Sequence, residues 1–377
     1  MFAIGFLVLA VFFLAWSNGA NDNFKGVATL YGSGTCSFRR ALILATVATV
    51  LGSLVSVMFA QYLIKTFSGH GLIPNRLIDS RLMLAVGFSG VVTILSATLL
   101  GMPTSTTHAL TGALVGAALV ADSGSINWRV LAGKFGQPLL LSPLLAIGIT
   151  VLLYPFLRMM RETLGVEREQ CVCIGSAASQ PVEVCHNGSV ALKGSSADIL
   201  TMEMGSKVKC MERYRGRMVG LDAQTLVNAL HYLSGSAVCF ARAVNDTPKI
   251  AALLLAGGAI TATRGGEIGS LALIALAMAA GGLIHARKVA ETMSKRITEL
   301  NSGQGLTANL VASALILGAS RLGLPVSTTH VSCGSIFAIG LVNRHRQWST
   351  ITQIAVTWIT TLPLGLGLGA AFYWVLV

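Results

Sequence analysis

The sequence predicts an all-α polytopic membrane protein: two inverted repeats with interrupted helices or re-entrant hairpins, about 10–12 membrane segments in all. Three observations carry that expectation. Only 11% of the 377 residues are charged and 53% are hydrophobic, whereas a soluble domain carries roughly 25% charged residues. Apolar runs close to the ~20 residues that span a bilayer as a helix recur around 41–64, 129–157, 305–319 and 349–377. The chain also repeats itself: "GANDNFKGVA" at 19–28 returns as "AVNDTPKIAA" at 243–252, and "MPTSTTHALTGA" at 102–113 returns as "LPVSTTHVSCGS" at 324–335.

The separations nearly agree. The aspartates lie 246 − 22 = 224 residues apart and the serines 327 − 105 = 222. A weaker pair, "SPL" at 142–144 and "LPL" at 362–364, continues the drift with 363 − 143 = 220. Duplication followed by small deletions gives this pattern. It defines a first membrane repeat, 1–157, a polar loop, 158–222, and a second membrane repeat, 223–377. An odd number of crossings in each repeat places them in opposite orientation, an architecture in which binding occurs at the midplane between the halves.

The elements follow in order. Residues 2–17 lack the basic start of a signal peptide and read as a retained membrane segment. The first ND motif interrupts the chain, 41–64 crosses next, and the first STTH motif lies beyond a polar connection. The segment 129–157 closes the repeat, and the second half runs through the same order. The net charge of +12 does not imply nucleic acid, because its residues fall in connections. Arg39, Arg40, the basic residues of 158–217, Arg287, Lys288, Lys295, Arg296, Arg344 and Arg346 come to one side if each half crosses five times. The positive-inside rule makes that side cytoplasmic. Both termini and the loops 67–81, 122–128 and 262–267 then lie outside, in a multi-pass protein of the plasma membrane. Cys171, Cys173, Cys185 and Cys210 lie in the cytosolic loop, where reduced thiols are the default. Their spacing, with His186 included, matches no standard zinc site.

Two motifs carry the chemistry. A carboxylate at membrane depth costs ~3 kcal/mol or more, so Asp22 and Asp246 require compensation. The glycine before Asn21 lets the backbone leave helical geometry, which frees carbonyls and amides. With Asn21, Asn23 and Asn245 these form an oxygen-rich break suited to Na+, and Pro248 fits the first turn of the helix after the second break. Pro103 and Pro325 end the segments that lead to the other motif. Ser105, Thr106, Thr107 and Ser327, Thr328, Thr329 then stand at helix N-termini, where hydroxyls, amides and the helix dipole favour an oxyanion. Two ionised aspartates beside an oxyanion make a buried negative charge that needs counter-ions. Lys25 and Lys249 follow the motifs without having to reach the centre, so cations are expected to enter with the anion. The plainer readings are hydroxyls bonded only to neighbouring helices, an Asp22–Lys25 structural pair, packed histidines at His108 and His330, and a solvated helix face around Glu291. Arg242, with Asn18 in its place in the first half, has no assigned role.

"GANDN", "VND" and the paired "P-x-STTH" resemble the inorganic phosphate transporter family, the phosphate permeases of bacteria and archaea together with the sodium–phosphate symporters of animals. The resemblance runs over both repeats and leaves the central loop unmatched. It implies an inverted-repeat secondary transporter of inorganic phosphate, coupled to Na+ or H+, in which Asp22 and Asp246 bind cation and substrate. One departure is a glutamate that animal members carry in the second membrane segment before a Gly-Ser; "LATVATVLGS" offers Thr49 there.

Together the motifs and the resemblance give two sets of candidates. Phosphate contacts are Ser105, Thr106, Thr107, Ser327, Thr328 and Thr329, with Asn23 and Thr247. Na+ ligands are Asp22, Asn21, Asp246, Asn245 and Thr104. The expected partners are inorganic phosphate, Na+ or H+, the lipid bilayer and a second copy of the chain in a homodimer; no nucleic acid and no cofactor are expected. The expected activity is Na+-driven phosphate symport, with an H+-coupled permease or a sulfate permease of the same fold as alternatives. No catalytic residues are expected, since neither GxSxG nor HExxH occurs, and nothing resembles the filter of a channel.

Overall fold

The computed structural model describes residues 2–59, 61–165, 170–176, 200–206, 218–260 and 264–377. The chain forms two compact units, one of Met1–Pro155 with His231–Val377 and one of Phe156–Leu230.

The larger unit is helical. Its first half contains α1 (Phe2–Asp22), α2 (Ala28–Gly32), α3 (Phe38–Phe59), α4 (Gln61–Phe67), α5 (Ser80–Leu99), α6 (Thr106–Asp122) and α7 (Trp128–Thr163). The second contains α8 (Ala223–Ala256), α9 (Arg264–His285), α10 (Arg287–Lys295), α11 (Ser302–Arg321), α12 (Thr328–Asn343) and α13 (Trp348–Leu376). Apart from the short α2, which the second half lacks, the order long, long, short, long, hairpin with its helix, long occurs in both halves. Helices α1, α3, α5, α7, α9 and α13 are long and apolar enough to cross a membrane. Leu152 on α7 and Ile359 and Trp374 on α13 are about three-quarters exposed, which suits lipid rather than water. The apolar run 305–319 lies in α11, whose buried Asn309, Ser313 and Ser320 make it more polar than those six.

Both STTH segments are tight hairpins. After α5, Gly101 takes φ +72° before Pro103; after α11, Gly323 takes φ +67° before Pro325. A left-handed residue after a helix is the place for glycine. The two ND segments differ from each other. In the first half α1 stops at Asp22 and α2 resumes at Ala28. In the second, α8 runs unbroken from Ala223 to Ala256 with Pro248 inside it, so the second break expected from the sequence does not form. Gly19 and Gly26 flank the first motif where Ala243 and Ile250 flank the second, and glycine costs a helix roughly 1 kcal/mol relative to alanine.

Close crossings lock the bundle. A Cβ on Gly19 would sit 2.0 Å from the Met278 carbonyl oxygen, and one on Gly52 would sit 2.5 Å from that of Phe240 and 3.0 Å from Ala243 Cβ. Gly19 corresponds to Ala243 in the repeat, so α1 on α9 and α3 on α8 are matching contacts. Gly112 and Gly116 of α6 lie against the Leu362 and Leu366 carbonyls of α13, and Gly365 and Gly369 of α13 lie against the Ala109 and Ala113 carbonyls of α6, the small-residue packing usual in membranes. Along α1, residues up to Ala15 belong to one apolar cluster and Phe24 onward to a second. Buried Asn18, Asn21, Asp22 and Asn23 lie between them.

The smaller unit holds a three-stranded antiparallel sheet in the order β2-β1-β3, from β1 (Gln170–Ser176), β2 (Leu200–Ser206) and β3 (Met218–Asp222). Val172 pairs with Met204 on one side and Leu221 on the other. The sequence reading of 158–222 as a polar loop did not foresee these strands. Cys185, His186 and Cys210 lie outside the described residues.

Candidate functional site

Asp22, at the end of α1, and Asp246, inside α8, are both buried, and each holds the lysine three residues on. Lys25 Nζ bonds Asp22 Oδ1; Lys249 Nζ lies 3.0 Å from Asp246 Oδ1. Both lysines are fully buried. The expectation that they need not reach the centre is therefore corrected: they are part of it. On α8 the three-residue spacing lays Lys249 over Asp246 on one helix face, whereas Lys25 reaches Asp22 across the turn that follows α1, where its amide donates to the Asp22 carbonyl at 3.1 Å.

The STTH hairpins meet the same groups. Ser105 caps α6 by accepting from the His108 amide, and Ser327 caps α12 by accepting from that of His330. Thr107 Oγ1 lies 2.7 Å from Lys249 Nζ and donates to the Val326 carbonyl at 3.0 Å. Thr329 answers from the other hairpin, bonded to Lys25 Nζ and to the Thr104 carbonyl. The lysines close the pattern, Lys25 donating to Thr104 O at 3.1 Å and Lys249 to Val326 O at 3.2 Å. Thr106 faces Asp22 Oδ2 at 3.5 Å, as Thr328 faces Asp246 Oδ2 at 3.3 Å. Each of these threonine and lysine contacts made by one half is returned by the other, the mark of approximate twofold pairing.

Not every candidate joins this centre. Asn21 anchors the first hairpin, donating to Thr98 Oγ1 at 2.9 Å and to Met102 O at 3.0 Å and accepting from the Thr104 amide at 3.0 Å. Asn245 donates to Ser320 Oγ at 2.8 Å in the matching place, and its Oδ1 accepts from Lys249. The Thr104 hydroxyl turns to Thr361, at 2.8 Å, and contributes only its carbonyl. Asn23 and Thr247 face away from the hairpins. Asn23 bonds Thr46 and Thr49 on α3, and Thr247 lies 2.8 Å from Ser53. A residue next to the aspartate is turned ~100° around a helix of 3.6 residues per turn, which carries it to the neighbouring element.

Arg242 is the residue the sequence left without a role. It is buried on α8, and its Nη1 and Nη2 donate to Asn18 Oδ1 at 2.9 Å and Thr49 Oγ1 at 2.8 Å. Its Nε has no partner among the described residues. Thr49, where the animal pattern has glutamate, thus faces a guanidinium. With Lys25 and Lys249 against Asp22 and Asp246, the buried charges of the described residues leave one positive charge. The signal for Lys25 and Lys249 was their recurrence three residues after each aspartate; for Arg242 the sequence held none, because its partners lie on α1 and α3.

His108 and His330 come together with ring centroids 4.5 Å apart, and His330 stacks on Trp358 at 4.1 Å. His108 Nδ1 lies 2.8 Å from Ser105 Oγ. A cleft lined by Met102, Ser349, Thr352, Gln353, Val356 and Thr357 opens beside the first hairpin. Glu291 pairs with Arg287 at 3.2 Å on an exposed face of α10, the solvated face expected there.

Known proteins resemble this chain over nearly its whole length. A putative phosphate permease of Pyrococcus furiosus is 27% identical over 94% of this chain and 92% of its own length. A probable low-affinity inorganic phosphate transporter of Bacillus subtilis is 25% identical over 98% of the chain and 96% of its own. The chloroplastic inorganic phosphate transporter 2-1 of Arabidopsis thaliana is 27% identical over 97% of the chain and 70% of its own. Among solved structures, one titled the sodium-dependent phosphate transporter matches the fold with a TM-score of 0.75 at 20% identity, over 100% of this chain and 99% of that one. The model of the phosphate transporter family matches residues 18–369, and the chain belongs to that family.

Proposed function

We propose that this chain is a secondary transporter of inorganic phosphate, working by alternating access between two inverted repeats with the oxyanion bound between the STTH hairpins. The family is one of transporters, not enzymes. The observation that carries the reading is the reciprocal set Thr107–Lys249 and Thr329–Lys25. Two capped helix N-termini, one from each half, converge there on buried ammonium groups. A tetrahedral oxyanion needs donors from several directions, and helix N-termini with cationic side chains supply them. The element order shared by the halves and the matched contacts of α1 on α9 and α3 on α8 support two repeats, which are inverted if each crosses the membrane an odd number of times.

Two coupling readings compete. Na+ coupling, the reading favoured by the sequence, draws support from the printed function of the solved neighbour and from the oxygen-rich ND motifs. The lysines favour its alternative, an H+-coupled permease. Free cations are needed to balance the centre only where the two aspartates stand unpaired. With each aspartate paired to lysine, one monovalent anion balances the remaining positive charge. A proton then needs no ion site of its own, because phosphate carries it as P–OH. A sulfate dianion would leave the centre negative, so phosphate is favoured over sulfate. The plasma membrane, a cytoplasmic 158–222 segment, outward termini and a homodimer complete the proposal.

Equilibrium binding of radiolabelled phosphate to the purified chain tests it. Saturable binding that survives excess sulfate and is lost in Thr107→Val and Thr329→Val supports the reading. Saturable binding of sulfate in place of phosphate would make the chain a sulfate permease of the same fold.

A further inference from the structure

We propose that the Lys25 and Lys249 ammonium groups are tethered counter-cations that fill the oxygen-lined places a free coupling cation would occupy, so that the ND centres neither bind nor need Na+. The inference deepens the oxyanion-carrier reading and rests on it for its consequence.

The surroundings of the two nitrogens carry it. Lys25 Nζ is held by a carboxylate oxygen of Asp22, the hydroxyl of Thr329 and the carbonyl of Thr104. Lys249 Nζ is held by a carboxylate oxygen of Asp246, the amide oxygen of Asn245, the hydroxyl of Thr107 and the carbonyl of Val326. These are two sets of hard oxygens, one carboxylate in each, drawn from both halves of the chain. Such sets are what hard cations take as ligands. An ammonium group is a compact point charge with three donors, and Lys25 has three acceptors around it. Neither nitrogen is exposed, so a metal ion at either place would have to share its ligands with a fixed positive charge.

Charge argues the same way. Each Asp–Lys pair is neutral by itself, and Arg242 adds one positive charge nearby. A Na+ at each pair would add two more within one buried centre, with no anion of the protein left to balance them. Taking away one lysine reverses this, since it leaves a carboxylate, a carbonyl and a hydroxyl facing a vacated volume. Because the ammonium groups stay with the chain, the positive charge at the site is permanent. It cycles with the hairpins and is not drawn from the external Na+ pool.

The experiment is equilibrium binding of radioactive Na+ to the purified full-length chain with no phosphate present, for the wild type, Lys25→Ala and Lys249→Ala. Thermal unfolding checks that each variant is folded. The wild type should show no saturable Na+ binding, and each variant should gain one saturable site that K+ displaces poorly. In parallel, wild-type phosphate binding should change less than about twofold when Na+ is replaced by choline, well short of the tenfold that 1.4 kcal/mol of coupling would give. Saturable Na+ binding by the wild type overturns the proposal, as does a tenfold Na+ requirement for phosphate binding or a folded lysine variant that gains no site. The wild-type measurement decides even where a variant does not fold. Because Na+ is read without phosphate, a chain that carries some other oxyanion passes or fails in the same way. Failure to bind phosphate under any condition counts against the transport reading alone.

Discussion

Arg242 Nη1 lies 2.9 Å from Oδ1 of Asn18, the residue that holds Arg242's own position in the first half of the chain. The repeat is therefore least symmetric where the charge is decided. One half supplies a guanidinium and the other the amide that holds it.

Removing that charge should weaken anion binding more than it weakens the fold. Arg242→Gln deletes the buried positive charge that Asp22 and Asp246 leave unbalanced, and a buried anion without that counter-charge is held less well. Phosphate affinity should fall about tenfold or more. Thr49→Glu should do the same from the other side, since it puts a carboxylate at the position whose hydroxyl now lies 2.8 Å from the guanidinium and so cancels the charge the anion needs. Calorimetric phosphate titration reads both. Unchanged affinity in both variants would place the anion elsewhere.

The Asp22–Lys25 pair should behave as a buried ion pair. Breaking one by removing a single partner costs ~3–5 kcal/mol, whereas replacing both partners is often close to neutral. Asp22→Asn should therefore be strongly destabilising, and Asp22→Asn combined with Lys25→Met should recover most of the loss. A double-mutant cycle on thermal or denaturant unfolding measures the coupling. Additive losses would show that the two side chains do not sense each other.

Much of this geometry is legible in the sequence, and what is not has a physical reason. The α6 and α12 N-termini are readable because Pro-x-Ser-Thr-Thr is a local signal: the proline stops one segment and the serine caps the next. The two halves are readable because the motifs recur in order. The unbroken α8 is not, since Pro248 costs it one hydrogen bond and the motif lacks the glycines of its counterpart. The place of Lys25 is not readable either. Its contacts include Thr329, 304 residues away in the chain, and no local pattern contains that. Asn23 and Thr247 were grouped with the site because they adjoin the aspartates, but a helix turns neighbours onto different faces.

The crossing of α6 and α13 offers a packing test. A Cβ on Gly116 would sit 1.9 Å from the Leu366 carbonyl oxygen, whereas one on Gly367 would meet nothing within 4 Å. Gly116→Ala should cost about 1–3 kcal/mol as overpacking against rigid backbone, and Gly367→Ala should be neutral or slightly stabilising. Melting temperatures in detergent compare them. Equal values would mean that the helices do not approach so closely.

The two caps should act alike. Ser105→Ala and Ser327→Ala each remove the acceptor of a first-turn amide, 3.2 Å away in both cases. Each loss is expected to cost ~1 kcal/mol of stability. Because each hairpin also presents its threonines to the other half's lysine, either variant should lower phosphate affinity as well. A fall in affinity for only one of the two would show that the halves do not contribute equally to the site.

The central claim, a phosphate carrier whose counter-cations are its own lysines, is tested most directly by uptake of radiolabelled phosphate into liposomes containing the purified chain. Uptake is measured with an inward H+ gradient in Na+-free choline buffer, then with an inward Na+ gradient, each with excess sulfate. Phosphate accumulation driven by the H+ gradient without Na+, and resistant to sulfate, is the expected result. Accumulation that appears only with the Na+ gradient, or that sulfate abolishes, would contradict it.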